Sequence, residues 1–192
     1  MTKLVYGVGI NERKYPTKVN GKKLKEYDVW KNLLKRCYCP MLQKERPTYI
    51  GCSASENFKS YSYFYQWCQD QVGFGQEGYH LDKDVLLRGN KIYSENTCVF
   101  LTSELNALLT ARKNCRGVFP IGVSAYYSKF KAKCCTDKSS DFLGIFNNLE
   151  EAFQAYKQAK EAYIKSQAEK WKNFIDLRAY EALMHYEVQI TD

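Results

Sequence analysis

The chain has 192 residues, a net charge of +8 at pH 7 and aromatic side chains at 15% of its positions. This length can bury one good hydrophobic core or two small ones, and no apolar run is long enough for a transmembrane helix, so no membrane partner is expected. Residues 1–46 carry 12 Lys and Arg against 4 Asp and Glu, and residues 112–138 carry 7 against 1. Two basic blocks on an otherwise acidic chain predict surfaces that face a polyanion, most simply nucleic acid, with a solvated surface as the alternative.

The eight cysteines include no C-x-x-C pair, which argues against paired zinc knuckles. The N-terminal MTKLVYGVGI lacks the apolar segment of a secretion signal. Both observations favour reduced thiols and a cytoplasmic location over a disulfide framework. Cys68 and Cys98 lie in apolar patterns and are expected to be small core residues.

The segment 1–27 is basic and contains Asn20-Gly21, a strong signal for a two-residue hairpin turn. Lys22 and Lys23, beside that turn, are candidate DNA-binding residues. The sequence leaves an ordered hairpin and a flexible arm both open. Asp28 then occupies the position of a helix N-cap, because apolar residues follow it at helical spacing.

A second amphipathic helix is predicted from Phe58 to Cys68. Its aromatic side chains, among them Tyr61 and Trp67, could serve as a stacking platform for nucleic-acid bases. Their spacing fits packing against a core better, so a core role is predicted.

The span 79–106 predicts two short strands, a turn-rich connection and the start of a helix. Asp82 falls on the first strand and Asn106 about one turn into the helix. His80 lies two residues before Asp82, and Asp84 two residues after it, so all three share one strand face. These three side chains could form a weak metal-binding site together with Asn106. The alternative is a solvated acidic strand, with Asn106 capping the helix or hydrogen-bonding to nearby residues.

From residue 122 onward, three short strands are predicted at 122–126, 129–133 and 142–146, followed by a helix that Asn147-Asn148 caps. The middle strand alternates, so that its three lysines project from one face. The candidate DNA-binding residues of this half of the chain are Tyr126, Tyr127, Lys129, Lys131, Lys133, Arg112, Lys113 and Arg116. The alternative for the lysine strand is an exposed sheet edge blunted by charge.

Several short motifs between residues 30 and 106 follow one another in a specific order. They are Trp30-x-x-Leu33-Leu34-x-Arg36-Cys37-Tyr38, Arg46-Pro47-Thr48-Tyr49, Phe64-x-x-Trp67, Leu81-Asp82-Lys83-Asp84, Gly89-Asn90-Lys91-x-Tyr93-Ser94 and Thr97-Cys98-x-Phe100, closing on Asn106. In this order the span resembles the HNH-endonuclease-like proteins that are common in bacteriophage genomes.

The HNH resemblance implies a ββα unit that holds one divalent metal ion, Mg²⁺ or Mn²⁺, against a phosphate. Asp82 and Asn106 match the two metal-ligand positions. Lys83 stands where the family has its histidine general base, and a lysine of ordinary pKa is a poor base at neutral pH. Thr97 departs from the Asn that orients that base. His80 is the remaining candidate base, and a degenerate frame retained for binding or packing is favoured over catalysis.

A second set of motifs lies between residues 122 and 160, at Gly122-Val123, Lys131-Ala132, Leu143-Gly144-Ile145-Phe146 and Glu150-Glu151-Ala152-x-x-Ala155-Tyr156. This region resembles the three-strand-plus-helix DNA-binding domain of plant ethylene-response factors. The resemblance implies a sheet that enters the major groove. Lysines and tyrosines occupy the strands where that family has arginines and tryptophans, which favours phosphate contact over base reading.

We therefore expect an α+β fold with an HNH-like ββα core, then a three-stranded antiparallel sheet packed on a helix, and a helical C-terminal extension. The expected divisions are 1–27, 28–112, 117–165 and 166–192. Double-stranded DNA binding through phosphates is the leading hypothesis for function. The alternatives are a metal-dependent nicking or homing endonuclease and a phage effector that binds a host DNA-processing enzyme, together with DNA or without it, in the host cytoplasm.

Overall fold

The computed structural model describes residues 3–109, 118–136 and 140–191. Arg112, Lys113 and Arg116, three of the predicted DNA-binding residues, lie outside these ranges. The fold is mixed α/β with small sheets and a C-terminal helix, as predicted. The described residues form two compact units, one within 1–106 and 174–179 and the other within 107–173 and 180–192.

The basic N-terminal segment of the first unit forms an ordered hairpin. Strands β1 (Lys18–Val19) and β2 (Lys22–Lys23) pair antiparallel and are exposed. Asn20 and Gly21 connect them with φ angles of 50° and 76°, the two positive values that a type I′ turn requires. The structure thus selects the hairpin over the flexible arm.

Four helices and one 3₁₀ turn follow in the first unit. Their bounds are α1 Lys25–Tyr38, α2 Pro40–Glu45, a 3₁₀ turn at Pro47–Tyr49, α3 Glu56–Lys59 and α4 Tyr61–Gln69. Helix α1 begins three residues before Asp28, so the predicted N-cap is wrong, and Leu24 occupies that position. Asp28 instead joins Glu26 in the first turn, where a negative charge interacts favourably with the helix dipole.

The core of the first unit is built on α1 and α4. Trp30, Leu33 and Leu34 are buried and pack with Tyr61 and Phe64. The core role predicted for the aromatic helix is confirmed at these buried positions, whereas the Tyr63 side chain is 36% exposed. The predicted core residues Cys68 and Cys98 are fully buried, and every cysteine that the structure describes is a free thiol.

Two small sheets complete the first unit. Strand β3 (Ser53–Ala54) pairs in parallel with β5 (Ile92–Tyr93). Strand β4 (Tyr79–Asp82) pairs antiparallel with β6 (Val99–Thr102), and helix α5 (Ser103–Leu109) follows β6 directly. Residues 79–106 therefore contain three strands rather than the predicted two, because β5 lies between β4 and β6, and the predicted helix begins at Ser103.

The second unit contains a three-stranded antiparallel sheet with a helix on one face. Strands β7 (Val123–Tyr126), β8 (Lys129–Cys135) and β9 (Ser140–Phe146) pair in the order β7-β8-β9, which confirms the three predicted strands. The Asn148 side chain caps helix α6 (Leu149–Trp171) by accepting a hydrogen bond from the Glu151 N–H. Helix α6 runs through the expected division at 165/166, because no Gly or Pro interrupts it. Helix α7 (Leu177–Met184) is the last element among the described residues, and its residues up to Ala179 belong to the first unit.

The core of the second unit lies between the sheet and α6. It consists of small and apolar side chains from both, together with one C-terminal residue, namely Val123, Ala132, Cys134, Ala152, Phe153, Tyr156 and Val188. Within the described ranges, no helix is long and apolar enough to cross a membrane.

Candidate nucleic-acid interface

The face of the β7-β8-β9 sheet opposite α6 carries a row of lysines. Strand β8 alternates, so Ala132 and Cys134 point into the core while Lys129, Lys131 and Lys133 point to the other face. Lys129 and Lys133 are exposed and Lys131 is half-buried. The predicted alternation of this strand is confirmed, and the three cations project from the central strand of the sheet, which excludes the edge-strand alternative.

Apolar and aromatic side chains flank the lysine row on both sides. On β7, Tyr126 lies opposite Lys129. On β9, Ile145 lies opposite Lys131 and Phe142 opposite Lys133. Tyr126, Ile145 and Phe142 are 41%, 42% and 59% exposed. We call this surface, made of Ser124, Tyr126, Lys129, Lys131, Lys133, Phe142 and Ile145, the lysine face.

Two tyrosines rise at the end of the lysine face where β7 turns into β8. Tyr127 is 92% exposed, and its ring packs edge-on against Tyr126 at 5.0 Å between centroids. Its φ is 51°, an uncommon value for a bulky residue. The Lys131 Nζ lies 5.7 Å from the Tyr126 ring centroid, which links the row of cations to the aromatic pair.

A register shift between Ala132 and Lys133 interrupts the pairing of β8 with β9. Gly144 pairs with Ala132 and Phe142 with Lys133, so Leu143 is the extra residue and its side chain packs on the core. A bulge of this kind bends the strand and increases its right-handed twist. The lysine row therefore follows a twisted path rather than a straight line.

The N-terminal hairpin is a second exposed basic surface, on the first unit. Lys22 and Lys23, the predicted DNA-binding residues, are fully on its surface, and Lys18 lies opposite Lys23. Like charges directly opposite one another in an antiparallel pair are destabilising. An anion bound here would relieve that repulsion.

His80 and Asp82 share one face of β4, as the period of two predicts, but their environments differ. His80 is exposed, and its Nε2 lies 2.9 Å from the Ser103 Oγ at the start of α5. Asp82 is half-buried, and its Oδ1 accepts hydrogen bonds from the Asp84 N–H (2.8 Å) and the Val85 N–H (2.7 Å). Burial raises the pKa of the Asp82 carboxyl, and these backbone bonds act in the opposite direction.

Lys83, the residue at the general-base position of the resemblance, is only 7% exposed. Its ammonium group donates to the Asp84 Oδ1 and to the Asn90 carbonyl oxygen. Asn90 in turn donates to the carbonyls of Lys83 and Ile92, at 2.8 and 2.7 Å. This network closes the connection between β4 and β6. The sequence predicts a turn-rich segment around Asn90 and does not indicate its part in this network.

The two predicted metal ligands lie on different elements, Asp82 on β4 and Asn106 on α5. Asn106 is half-buried in α5. Within the described parts of the chain, no three His, Cys, Asp or Glu side chains are grouped so that they could hold a metal ion, so His80, Asp82 and Asp84 do not form a metal-binding site. A site made by Asp82 and Asn106 alone stays a prediction.

No protein-family model, curated protein or solved structure matches this chain. Its function is therefore argued from the lysine face, the hairpin and the β4–β6–α5 unit themselves.

Proposed function

We propose that the protein binds double-stranded DNA, mainly through the phosphates, with the lysine face as the principal contact surface. The observation that carries this proposal is the row formed by Lys129, Lys131 and Lys133 on the open side of the sheet. Lysine is a compact point charge that suits phosphate contact, and phosphate contacts supply most of sequence-independent binding.

The dimensions of the lysine face suit a duplex. Alternate residues of a strand lie roughly 6.8 Å apart, so the three lysines span roughly 14 Å along the strand. The flanking Tyr126 and Ile145 are too exposed to belong to the core and add apolar contact with sugars and bases. The major groove of B-DNA is wide enough to admit β-strands.

The three lysines of this face predict that the affinity for DNA falls as the salt concentration rises. Substitution of all three lysines should weaken that dependence. Each phosphate contact contributes about −0.9 to the slope of log K against log salt. The variant Lys129→Ala/Lys131→Ala/Lys133→Ala should therefore bind any duplex more weakly and reduce the magnitude of the slope by up to about 2.7. Fluorescence anisotropy of labelled duplexes of unrelated sequence, titrated between low and moderate salt, measures both quantities.

A matched control removes the same charge from helix α6 and its C-terminal end. Lys165, Lys170 and Lys172 are exposed there, and their replacement by Ala should leave the slope unchanged. An affinity that is flat with salt, or equal losses in the two triple variants, would contradict the proposal.

A metal-dependent nicking endonuclease is the second candidate, and the observation that favours it is the exposed His80 on the same face as Asp82. The Lys83 side chain at the general-base position opposes it, because this side chain is buried and donates hydrogen bonds to the Asp84 carboxylate and the Asn90 carbonyl. We therefore favour a β4–β6–α5 unit that serves structure and binding. Nicking of supercoiled plasmid with Mg²⁺ or Mn²⁺, abolished by EDTA and by His80→Ala, would instead support the nuclease; plasmid that is retarded and uncut supports DNA binding.

A further inference from the structure

A cleft of about 490 Å³ lies on the first unit, beside the first two turns of helix α1. The polar side chains in the described part of its lining are Lys3, Tyr6, Asn11, Arg13, Tyr27 and Lys31. Three of these are cations and none is a carboxylate. Its volume falls within the range of small-molecule sites, roughly 300–1,000 Å³.

One wall of the cleft is a tight turn held against the core. Val5 and Gly9 exchange two backbone hydrogen bonds of 2.8 and 2.9 Å, and Tyr6 lies between them with φ of 51°. A Cβ on Gly9 would come within 2.3 Å of the Leu34 side chain, so only glycine lets this turn approach α1 so closely. A tyrosine in the left-handed region costs free energy, and here it is kept where its side chain lines the cleft.

In the loop that follows this turn, the Glu12 carboxylate and the Arg13 side chain make contacts in different places. The Glu12 carboxylate accepts hydrogen bonds from the Ser62 N–H and Oγ, at 3.0 and 2.9 Å, on helix α4. Its neighbours Asn11 and Arg13 line the cleft, and the Asn11 Oδ1 holds the Arg13 N–H at 2.9 Å. Arg13 also has a positive φ, of 60°. The acid of this loop is thus engaged elsewhere, while its cation faces the cleft.

Within the described part of the chain, the three cations of the cleft have no partner of their own. Among residues 3–109, the side chains of Lys3, Arg13 and Lys31 make no hydrogen bond or ion pair. Like charges around one cleft repel one another, and a bound anion removes that repulsion. The rings of Tyr6 and Tyr27 add flat apolar surface next to the charges, which suits a planar group.

We propose that this cleft binds the phosphate group of a nucleotide, with Arg13 and Lys31 on the phosphate and Tyr6 and Tyr27 against the base or sugar. The phosphate belongs either to a free nucleotide or to the 5′ end of a nucleic-acid strand, because both present the same terminal group. This site uses none of the residues of the lysine face, so it is separate from the proposed duplex-binding surface.

Titration calorimetry of the full-length protein with inorganic phosphate, adenosine and the four nucleoside 5′-monophosphates tests the cleft. We expect saturable binding of at least one monophosphate and none of adenosine.

Arg13→Gln and Lys31→Gln should each weaken binding by about tenfold or more, since each removes a charge-assisted contact. Lys44→Gln, an exposed lysine outside the cleft, should change nothing. Two results would overturn the proposal. One is that neither a monophosphate nor a 5′-phosphorylated strand binds saturably, and the other is that Arg13→Gln, Lys31→Gln and Lys44→Gln all bind with the same affinity.

Single-stranded oligonucleotides with and without a 5′-phosphate distinguish the two sources of the ligand. This comparison is made in the Lys129→Ala/Lys131→Ala/Lys133→Ala background, where the lysine face contributes little. A preference for the phosphorylated strand that Arg13→Gln abolishes assigns the strand end, and monophosphate binding without such a preference assigns the free nucleotide. If the triple variant binds duplex DNA as tightly as the natural protein, the proposed function is wrong and the cleft proposal is unaffected. If Arg13→Gln and Lys31→Gln bind monophosphates as tightly as the natural protein, the cleft proposal is wrong and the proposed function is unaffected. Equal thermal unfolding of all variants shows that the fold is intact.

Discussion

At the scale of single residues, the Asp82 carboxylate caps a turn through its hydrogen bonds, and its partial burial raises its pKa. Its Oδ1 caps the turn after β4 by accepting the N–H groups of Asp84 and Val85. The same side chain is half-buried, and this partial burial raises the pKa of its carboxyl. The turn needs an oxygen acceptor at this position, and it does not need a charge.

We predict that Asp82→Asn and Asp82→Ala have different effects on stability. The amide oxygen of Asn can accept both backbone bonds, whereas Ala leaves two N–H groups without their acceptor and should cost about 1–3 kcal/mol of unfolding free energy. Urea unfolding followed by circular dichroism at pH 7 measures both. Equal losses in the two variants would mean that the charge, rather than the capping oxygen, stabilises this turn.

The raised pKa of Asp82 also predicts a dependence on pH. A carboxyl whose pKa is higher in the folded state than in the unfolded state contributes stability when it is protonated, and that contribution is lost as pH rises through the folded-state pKa. Asp82→Asn removes this dependence. Its stability relative to the natural protein should therefore increase between about pH 3 and pH 6, and a difference that stays constant over this interval would refute the burial argument.

Side chains whose position follows from a local period were predictable from the sequence, and those fixed by the path of a loop were not. The lysines of β8 follow a period of two, so their shared face needed only the strand to be identified. Asn90 binds the carbonyls of Lys83 and Ile92, and the side chain of Lys83 is buried against the Asn90 carbonyl. Nothing local in the sequence indicates that the loop folds back on itself at these residues.

At the scale of elements, the start of β7 depends on a close approach between the sheet and α6. Gly122, just before β7, has φ of 78°, and a Cβ added there would lie 2.0 Å from the Tyr156 ring. Two independent constraints therefore require glycine: a left-handed backbone and the space that the ring occupies.

We predict that Gly122→Ala destabilises the protein by about 2 kcal/mol or more, because it combines the cost of a left-handed alanine with displacement of the Tyr156 ring. The ring's share can be isolated by a double-mutant cycle with Tyr156→Ala, in which the cost of Gly122→Ala should fall to that of the backbone alone. Urea unfolding of the four proteins of the cycle gives the coupling free energy. A cost that is the same with and without the ring would show that the contact is relieved by local movement.

Elements were predicted well where a cap, a turn and an alternation agreed. The three strands of the sheet and the Asn148 cap are examples, whereas the Asn20-Gly21 turn signal left a hairpin and a flexible arm both open. The start of α1 was misplaced, because Asp28 is a strong cap by residue type while the actual N-cap, Leu24, has no side-chain bond at all. Helix α6 continues past residue 165 to Trp171, because no Gly or Pro in the sequence interrupts it.

At the scale of the whole molecule, each of the two units carries its own exposed basic surface. The hairpin of the first unit presents Lys22 and Lys23, and the sheet of the second unit presents the lysine face. Part of the positive charge of the chain is therefore displayed on defined elements. Fields of this kind accelerate the approach of a polyanion and weaken as salt screens them.

We predict that both surfaces contribute to the salt dependence of DNA binding and that their contributions add. Lys22→Ala/Lys23→Ala should lower the magnitude of the slope of log K against log salt by up to about 1.8, and combination with the triple substitution of the lysine face by up to about 4.5. Anisotropy titrations of one long labelled duplex with the two variants and their combination measure these slopes, with Lys165→Ala/Lys170→Ala as the charge-matched control for the hairpin. An unchanged slope in the hairpin variant would remove the hairpin from the interface and leave the sheet as the contact surface. The same conclusion would follow if the combination of both sets of substitutions gave a slope no smaller in magnitude than the triple substitution of the lysine face alone. Counterions released at separate phosphates contribute separately to the slope, so a second contact surface must lower it further.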